Sequence, residues 1–402
     1  MKKTFLCITF YFKGNEFLQQ CKAEGNTVFL LTKKKLENKP WAWESIDEVF
    51  YMESDENSPE NINNLIKGVA WLMRKHKIDR VVALDDFDVE KAAAVREEFR
   101  IPGMGQTTAR YFRDKLAMRI KARDAGLRVP AFSPLFNDEE INLFANQIPT
   151  PWLVKPRSEA SATGIRKVHS TDQLWEVIHQ LGDKRHMYLV EQFKPGDVYH
   201  VDALTINGEM AFNWTSKYLS TPFDVAHGAG IFRSATLPHN SDDDILLKEF
   251  NNRVMKAFGM KNSASHTEYI KCHEDGEFYF LETSARVGGA HLGTMVEAAS
   301  GINLWREWAR LESALLKGEA YQLPEVKRHY SGILISLARQ QHPDLSPFND
   351  PEIYCHIPEE HHVALIIHSS NHQRIIELLD KYAQIVKEHY HASAPVPDKP
   401  SH

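Results

Sequence analysis

Over its first hundred residues the chain alternates strand-like and helix-like patterns, and that alternation confines this part to few folds. Residues 5–12, 28–32 and 80–84 are apolar runs with strand character, while 15–23, 62–75 and 88–99 carry helical spacing. Such alternation builds a parallel, doubly wound sheet with helices on its faces. Asp86 or Asp88 is placed to cap the third helix. No GxGxxG follows the first strand and Gly14 stands alone, so a dinucleotide site is not expected there. Met1-Lys2-Lys3 superficially resembles the start of a signal peptide. The apolar run ends at Lys13 with no small-residue cleavage site, so a buried first strand is the expectation.

Residues 101–105, Ile-Pro-Gly-Met-Gly, break this pattern. A basic helix is expected over 107–125, ended by Gly126. Strands at 151–156, 165–168 and 188–192 surround a helix at 171–181. A strand at 198–206 turns at Asn207-Gly208 into another at 209–213. Helices are expected at 243–258 and, as one long amphipathic element, at 295–317. Residues 330–390 read as a small lobe ending in a helix at 372–389, and the tail 392–402, with three prolines, as disordered. The implied units are 1–106, 107–193, 194–330 and 331–391.

The chemistry concentrates in a hairpin. The run Ser265-His266-Thr267-Glu268-Tyr269-Ile270 leads through Asp275-Gly276 into Phe278-Tyr279-Phe280-Leu281-Glu282. A three-residue loop at 274–276, with Gly276 left-handed, pairs His273 with Glu277 and sets Glu268 opposite Glu282. Facing carboxylates repel unless a cation lies between them. Alternation adds Ser284 and Arg286 to the same face. Carboxylates, hydroxyl and guanidinium together point to Mg²⁺ and a phosphoryl group.

Other candidates are weaker singly. Lys115 lies on a helix, where most lysines are merely solvated. Lys155 sits among Trp152, Leu153, Val154 and Pro156, so it must reach solvent or find an anion. Residues 158–164 follow, with Ser158, Ser161 and Gly164 able to bend around phosphates, although this is no Walker A loop. Glu191 and Phe193 end a strand whose free backbone groups could read an adenine edge. Gly288-Gly289 permits close backbone approach beside Arg286, with His291 just beyond. The segment 227–230 is a candidate flap or a plain loop.

In this order the motifs resemble the ATP-grasp superfamily over roughly residues 1–390, and its carboxylate–amine ligase branch in particular. The motifs are a lysine in a DKxxMR-like helix, a strand lysine before a small-residue loop, and VExF with a following aspartate. Two facing glutamates and ExxxRxGG complete the set. The resemblance implies an α/β chain of the α+β ATP-grasp type: a Rossmann-like pre-domain, two lobes clamping ATP, and a small C-terminal lobe. It implies that Lys115 and Lys155 hold ATP phosphates, with 158–164 as the loop over them. Glu191 and Phe193 would face adenine, largely through backbone atoms, and Asp197 the ribose. Glu268, Glu282 and Ser284 would hold Mg²⁺ or Mn²⁺, Arg286 an acyl phosphate, and Gly289 and His291 the substrate. Two departures stand out. Ser284 occupies a position where the family usually has Asn, and the phosphate loop is poor in glycine.

The expected activity is ADP-forming ligation of a small carboxylic acid or amino acid to an amine. The alternatives are a biotin-carboxylase-like enzyme and a non-catalytic nucleotide-binding protein. A net charge of −6 and no aromatic-interleaved basic stripe argue against nucleic acid. No run nears ~18 apolar residues, so no membrane span is expected. Four scattered cysteines without metal spacing fit a reducing cytoplasm. A homodimer is the default from base rates.

Overall fold

Three sheets organise the protein in the computed structural model, which describes residues 2–53, 62–159, 163–220 and 230–392. Ser161, residues 227–229 of the candidate flap and the tail 393–402 lie outside the described residues.

The first sheet holds β1 (Thr4–Ile8), β2 (Thr27–Lys33), β3 (Glu48–Met52) and β4 (Arg80–Ala83), all parallel, in the order β3-β2-β1-β4. Helices Asn15–Ala23, Ile62–Leu72 and Val89–Glu98 cover it. Strand alternation sends Leu6, Ile8 and Val81 to one face, against Leu65, Val69 and Val95. It sends Phe5, Cys7 and Leu30 to the other, against Phe17 and Leu18. Burial of each such side chain contributes roughly 1.5–3 kcal/mol. β3 was not evident as a strand from the sequence. The expected cap also moves. Asp85 accepts from the Phe87 N–H, whereas Asp88, at the helix start, is held by the Phe10 N–H at 2.8 Å and Lys91 at 3.0 Å.

The second sheet comprises β5 (Phe132–Pro134), β6 (Trp152–Pro156), β7 (Arg166–Val168) and β8 (Tyr188–Gln192), antiparallel in the order β5-β8-β6-β7. Before it, the single helix expected at 107–125 is two, Gln106–Arg110 and Lys115–Asp124. The break is Asp114, whose carboxylate accepts from the Leu116 and Ala117 N–H groups and so starts a new helix.

The third sheet has eight strands: β9 (Gly196–Ile206), β10 (Glu209–Tyr218), β11 (Phe232–Thr236), β12 (Ser263–Cys272), β13 (Phe278–Ser284), β14 (Tyr330–Leu337), β15 (Ile353–His356) and β16 (His362–Ser369). Their order is β13-β12-β9-β10-β11-β14-β16-β15. The C-terminal strands therefore continue the sheet that carries the hairpin. Helix Asp242–Phe258 packs on one face, with Leu247 and Val254 against Val201, Tyr269 and Phe280. Helix Leu304–Lys317 lies between this sheet and the first, with Trp308 and Leu311 in one cluster with Leu204, Ala264 and Leu30. The long helix expected at 295–317 is interrupted. Gly301 ends Leu292–Ser300 in a left-handed conformation, and Asn303 caps the next helix on the Arg306 N–H.

The hairpin carries the most instructive correction. Glu268 does face Glu282, but not through a three-residue loop. Cys272, not His273, pairs with Glu277, which makes the loop 273–276, closed by the Gly276 N–H on the Cys272 carbonyl. Gly276 is left-handed as expected (φ 72°). A bulge at Leu281 then restores the offset, so the loop's extra residue and the bulge cancel at the glutamates.

Candidate active site

The sheets bring most of the sequence candidates together. Glu268 and Glu282 lie opposite each other on β12 and β13, and Ser284 faces His266 two pairs further on. Lys115, at the start of its helix, places Nζ 2.6 Å from Glu282 Oε2 and donates to the Glu159 carbonyl at 2.7 Å. Burial alone would raise the Glu282 carboxyl. Lys115, Lys155 and Arg119 outweigh that and bring it down to about 2. Glu282 is therefore ionised throughout the neutral range.

Lys155 and Glu191 sit on neighbouring strands β6 and β8. The Lys155 ammonium donates to Glu191 Oε1, and Arg119 Nε lies 2.6 Å from Oε2. All three side chains are buried. Burial lowers the Lys155 ammonium to about 8, against the partial support of Glu191. Burial pushes Glu191 up, but Arg119 and Lys155 together hold it below its usual range. Arg119 also donates to the Leu281 carbonyl at the bulge, so it touches both the second and the third sheet. Its Nη2 is buried without a partner among the described residues. Glu191 thus presents its carboxylate to the two cations. The Phe193 N–H, a candidate for reading adenine, donates to the Pro151 carbonyl at 3.0 Å, and its ring lies 3.7 Å beneath Lys167 Nζ.

The root of the phosphate-loop segment is clasped from the helix start. Arg113 donates to the Ser158 carbonyl, Arg157 binds Asp114, and the Lys115 N–H reaches the Arg157 carbonyl at 2.8 Å. Gly164 is left-handed (φ 73°). Asp197 is the second residue of β9 and is paired with Lys217 Nζ at 2.8 Å.

Arg286 leaves β13 and donates to the Val287 carbonyl at 2.9 Å, while its Nε is buried without a partner among the described residues. Its charge also reaches Asp85, at the carboxyl end of β4 in the first sheet. There Lys13 Nζ lies 2.5 Å from the Asp85 carboxylate. Crevices at such strand ends are where open α/β sheets take ligands. Gly289 has open space around it. His291 adopts φ 55° at the entry to helix Leu292–Ser300, is exposed, and lies 3.9 Å from Glu359.

Several neighbours escaped the sequence reading. Asp202, fully buried, binds His200 Nδ1 at 2.8 Å and His266 Nδ1 at 2.9 Å. Tyr218 donates to Glu268 Oε1 at 2.8 Å. Burial opposes a charge on His266, but Asp202 wins and raises it to about 9, whereas burial keeps His200 low. The signal was present as His200-Val-Asp202, polar residues alternating in an apolar strand, but their partner strand was not readable.

The donor set suits Mg²⁺ or Mn²⁺. Two carboxylates and a hydroxyl are hard oxygen ligands, and such ions keep waters and substrate phosphates in their remaining positions. The orphaned Arg286 Nε and Arg119 Nη2 are donors suited to anionic oxygens.

Residues 148–294 match the family described as ATP-grasp domain, and the architecture is the ATP-grasp fold. Among relatives, an L-arginine-specific L-amino acid ligase of Bacillus subtilis is 26% identical over 240 residues, 58% of this chain. The match spans 57% of that ligase, just over half its own length. An L-amino acid ligase from Bacillus licheniformis superposes with a TM-score of 0.75 at 17% identity, covering 97% of this chain and 98% of that one. The biotin carboxylase domain of Hydrogenobacter thermophilus 2-oxoglutarate carboxylase, solved with MgADP, ADP and bicarbonate, gives 0.71 at 16% identity, covering 98% and 91%. Among the described residues no helix is long and apolar enough to cross a membrane.

Proposed function

We propose that this chain is an ATP-dependent, ADP-forming carboxylate–amine ligase acting on small molecules. The observation that carries the reading is the Glu268–Glu282 pair, with Lys115 bound to Glu282 and Lys155 and Arg119 close enough to lower its carboxyl. The relatives named as amino acid ligases support amino acids as the substrate class.

In this reading a substrate carboxylate oxygen attacks the γ-phosphorus of ATP, and ADP leaves. An amine nitrogen then attacks the acyl carbon, loses a proton, and inorganic phosphate departs as the C–N bond forms. Lys115 and Lys155 bind the phosphates and offset their charge. Arg286 meets the acyl phosphate oxygens, with Gly289 and His291 lining the substrate side. Glu268 and Glu282, with Ser284 beside them, hold the divalent metal, which supplies further charge neutralisation when bound. Ser158 and Gly164, at the two ends of the small-residue loop, lie toward the phosphates. Glu191 orients Lys155, while Phe193 and Asp197 lie toward the nucleoside. The units 1–106, 107–193, 194–330 and 331–391 then serve as pre-domain, two clamping lobes and C-terminal lobe, the last sharing its sheet with the metal strands.

The test is an ADP-release screen over pairs of amino acids and small acids, with mass spectrometry of products. Condensed product with one ADP per bond is expected, and Glu282→Ala should abolish it while the fold persists. Retained turnover in that variant refutes the metal assignment. ADP release that depends on bicarbonate instead of an amine places the chain with the carboxylases.

A further inference from the structure

One face of the eight-stranded sheet carries a buried polar chain that the proposed reaction does not use. It starts at Ser234 on β11, whose Oγ lies 2.8 Å from His200 Nε2. His200 Nδ1 meets one oxygen of Asp202, and the other oxygen meets His266 Nδ1. A carboxylate only accepts, so both Nδ1 atoms carry the hydrogen. That assignment turns His266 Nε2 toward Glu268, 3.7 Å from Oε1. A second arm reaches the same atom: Tyr218, whose ring lies 4.7 Å from that of His200, donates its hydroxyl to Glu268 Oε1 at 2.8 Å.

Sheet register makes the arrangement compulsory. On β9 and β12, Asp202 faces His266 and His200 faces Glu268; on β12 and β13, Glu268 faces Glu282. Gly288 closes the group from above. A Cβ there would stand 2.7 Å from Asp202 Oδ1 and 3.0 Å from His266 Nδ1, so the turn bearing Arg286 rests directly on the pair.

We propose that Asp202, His266 and Tyr218 are positioning residues that fix the Glu268 carboxylate for the divalent metal and seat the Arg286–Gly289 turn beside it. The inference rests on Glu268 and Glu282 being the metal carboxylates. Groups that orient metal ligands typically change metal affinity by about 10- to 100-fold when removed.

The measurement is Mn²⁺ binding to the full chain with ADP, read by electron paramagnetic resonance, alongside ADP binding in chelator and thermal melting. Glu282→Ala is the reference and should lose Mn²⁺. His266→Asn retains a donor toward Asp202 but removes Nε2, and Tyr218→Phe removes only the hydroxyl. Each should weaken Mn²⁺ binding, the histidine variant by about tenfold or more, with metal-free ADP binding unchanged. Asp202→Asn should do the same where it folds. A purely structural role would lower the melting temperature and leave Mn²⁺ affinity alone. Folded His266→Asn and Tyr218→Phe proteins that both bind Mn²⁺ within about twofold of the parent, while Glu282→Ala does not, overturn the inference. If Glu282→Ala itself keeps Mn²⁺, the metal assignment falls and this inference with it.

Discussion

Arg119 Nε lies 2.6 Å from Glu191 Oε2, and neither side chain reaches solvent. Glu191 also takes the Lys155 ammonium, so two buried cations share one carboxylate. Removing it leaves both uncompensated. Glu191→Ala should destabilise the protein by about 3–5 kcal/mol, the usual cost of breaking a buried pair from one side. Denaturant unfolding followed by circular dichroism measures this. A loss under about 1 kcal/mol would mean that water reaches the cations.

Lys155 also makes a pH dependence with two opposite signs. Burial lowers its ammonium from 10.5 to about 8 in the folded chain. Between those values the unfolded chain binds more protons, so this group's contribution to stability rises with pH. Phosphate binding needs the protonated form and falls over the same window. ATP affinity, measured by calorimetry, should drop roughly tenfold or more across that window. Lys155→Met should bind weakly but with a flat profile. A steep profile surviving in Lys155→Met would assign the effect to another group.

The two glycines after Arg286 should respond differently. Gly288→Ala drives a methyl into Asp202 and His266, both buried, whereas a Cβ on Gly289 meets nothing within 4 Å. Gly288→Ala should cut ADP release by two orders of magnitude or so, as a misplaced catalytic group can, and lower the melting temperature. Gly289→Ala should melt with the parent. Equal melting of the two variants contradicts the close approach at Gly288.

Lys115 and Glu282 form a pair that is partly open to water, with side-chain exposures of 12% and 35%. Such a pair contributes little to stability, up to about 1 kcal/mol. Lys115→Ala should therefore melt within a few degrees of the parent, yet raise the apparent KM for ATP by about tenfold or more. Unchanged KM would leave the lysine as a mere counter-ion for Glu282.

Much of this site was legible because it is local. Facing glutamates within one hairpin are separated by a turn whose chemistry is written in Asp275-Gly276, and their pairing survived a wrong loop length because the Leu281 bulge compensates. Lys115 and Lys155 were visible as lysines in order with the hairpin. What escaped depends on pairings between strands distant in the chain. Asp202 meets His266 across 64 residues, and Arg119 meets the Leu281 carbonyl across 162. No local pattern specifies such a register. The two split helices were missed for a different reason. Apolar spacing runs on across Asp114 and Gly301, but Asp114 caps the start of a new helix and Gly301 ends one regardless.

The shared sheet sets limits on cutting or exchanging this chain. β14 pairs with β11 from Phe232↔Ile335 to Ala235↔Gly332, and β16 pairs with β14 along its whole length. A truncation before Tyr330 would strip β11 of one ladder and leave its amides and carbonyls as an open template for another molecule. It would also uncover Ala235, which clusters with Leu334 and Leu365, and Val198, Tyr218 and Met295, which cluster with Ile333 and Ile366. The last seventy or so residues are thus not a removable accessory. A shortened protein is bound to aggregate at that edge, and a transplanted C-terminal segment has to bring a matching strand, not merely a matching surface.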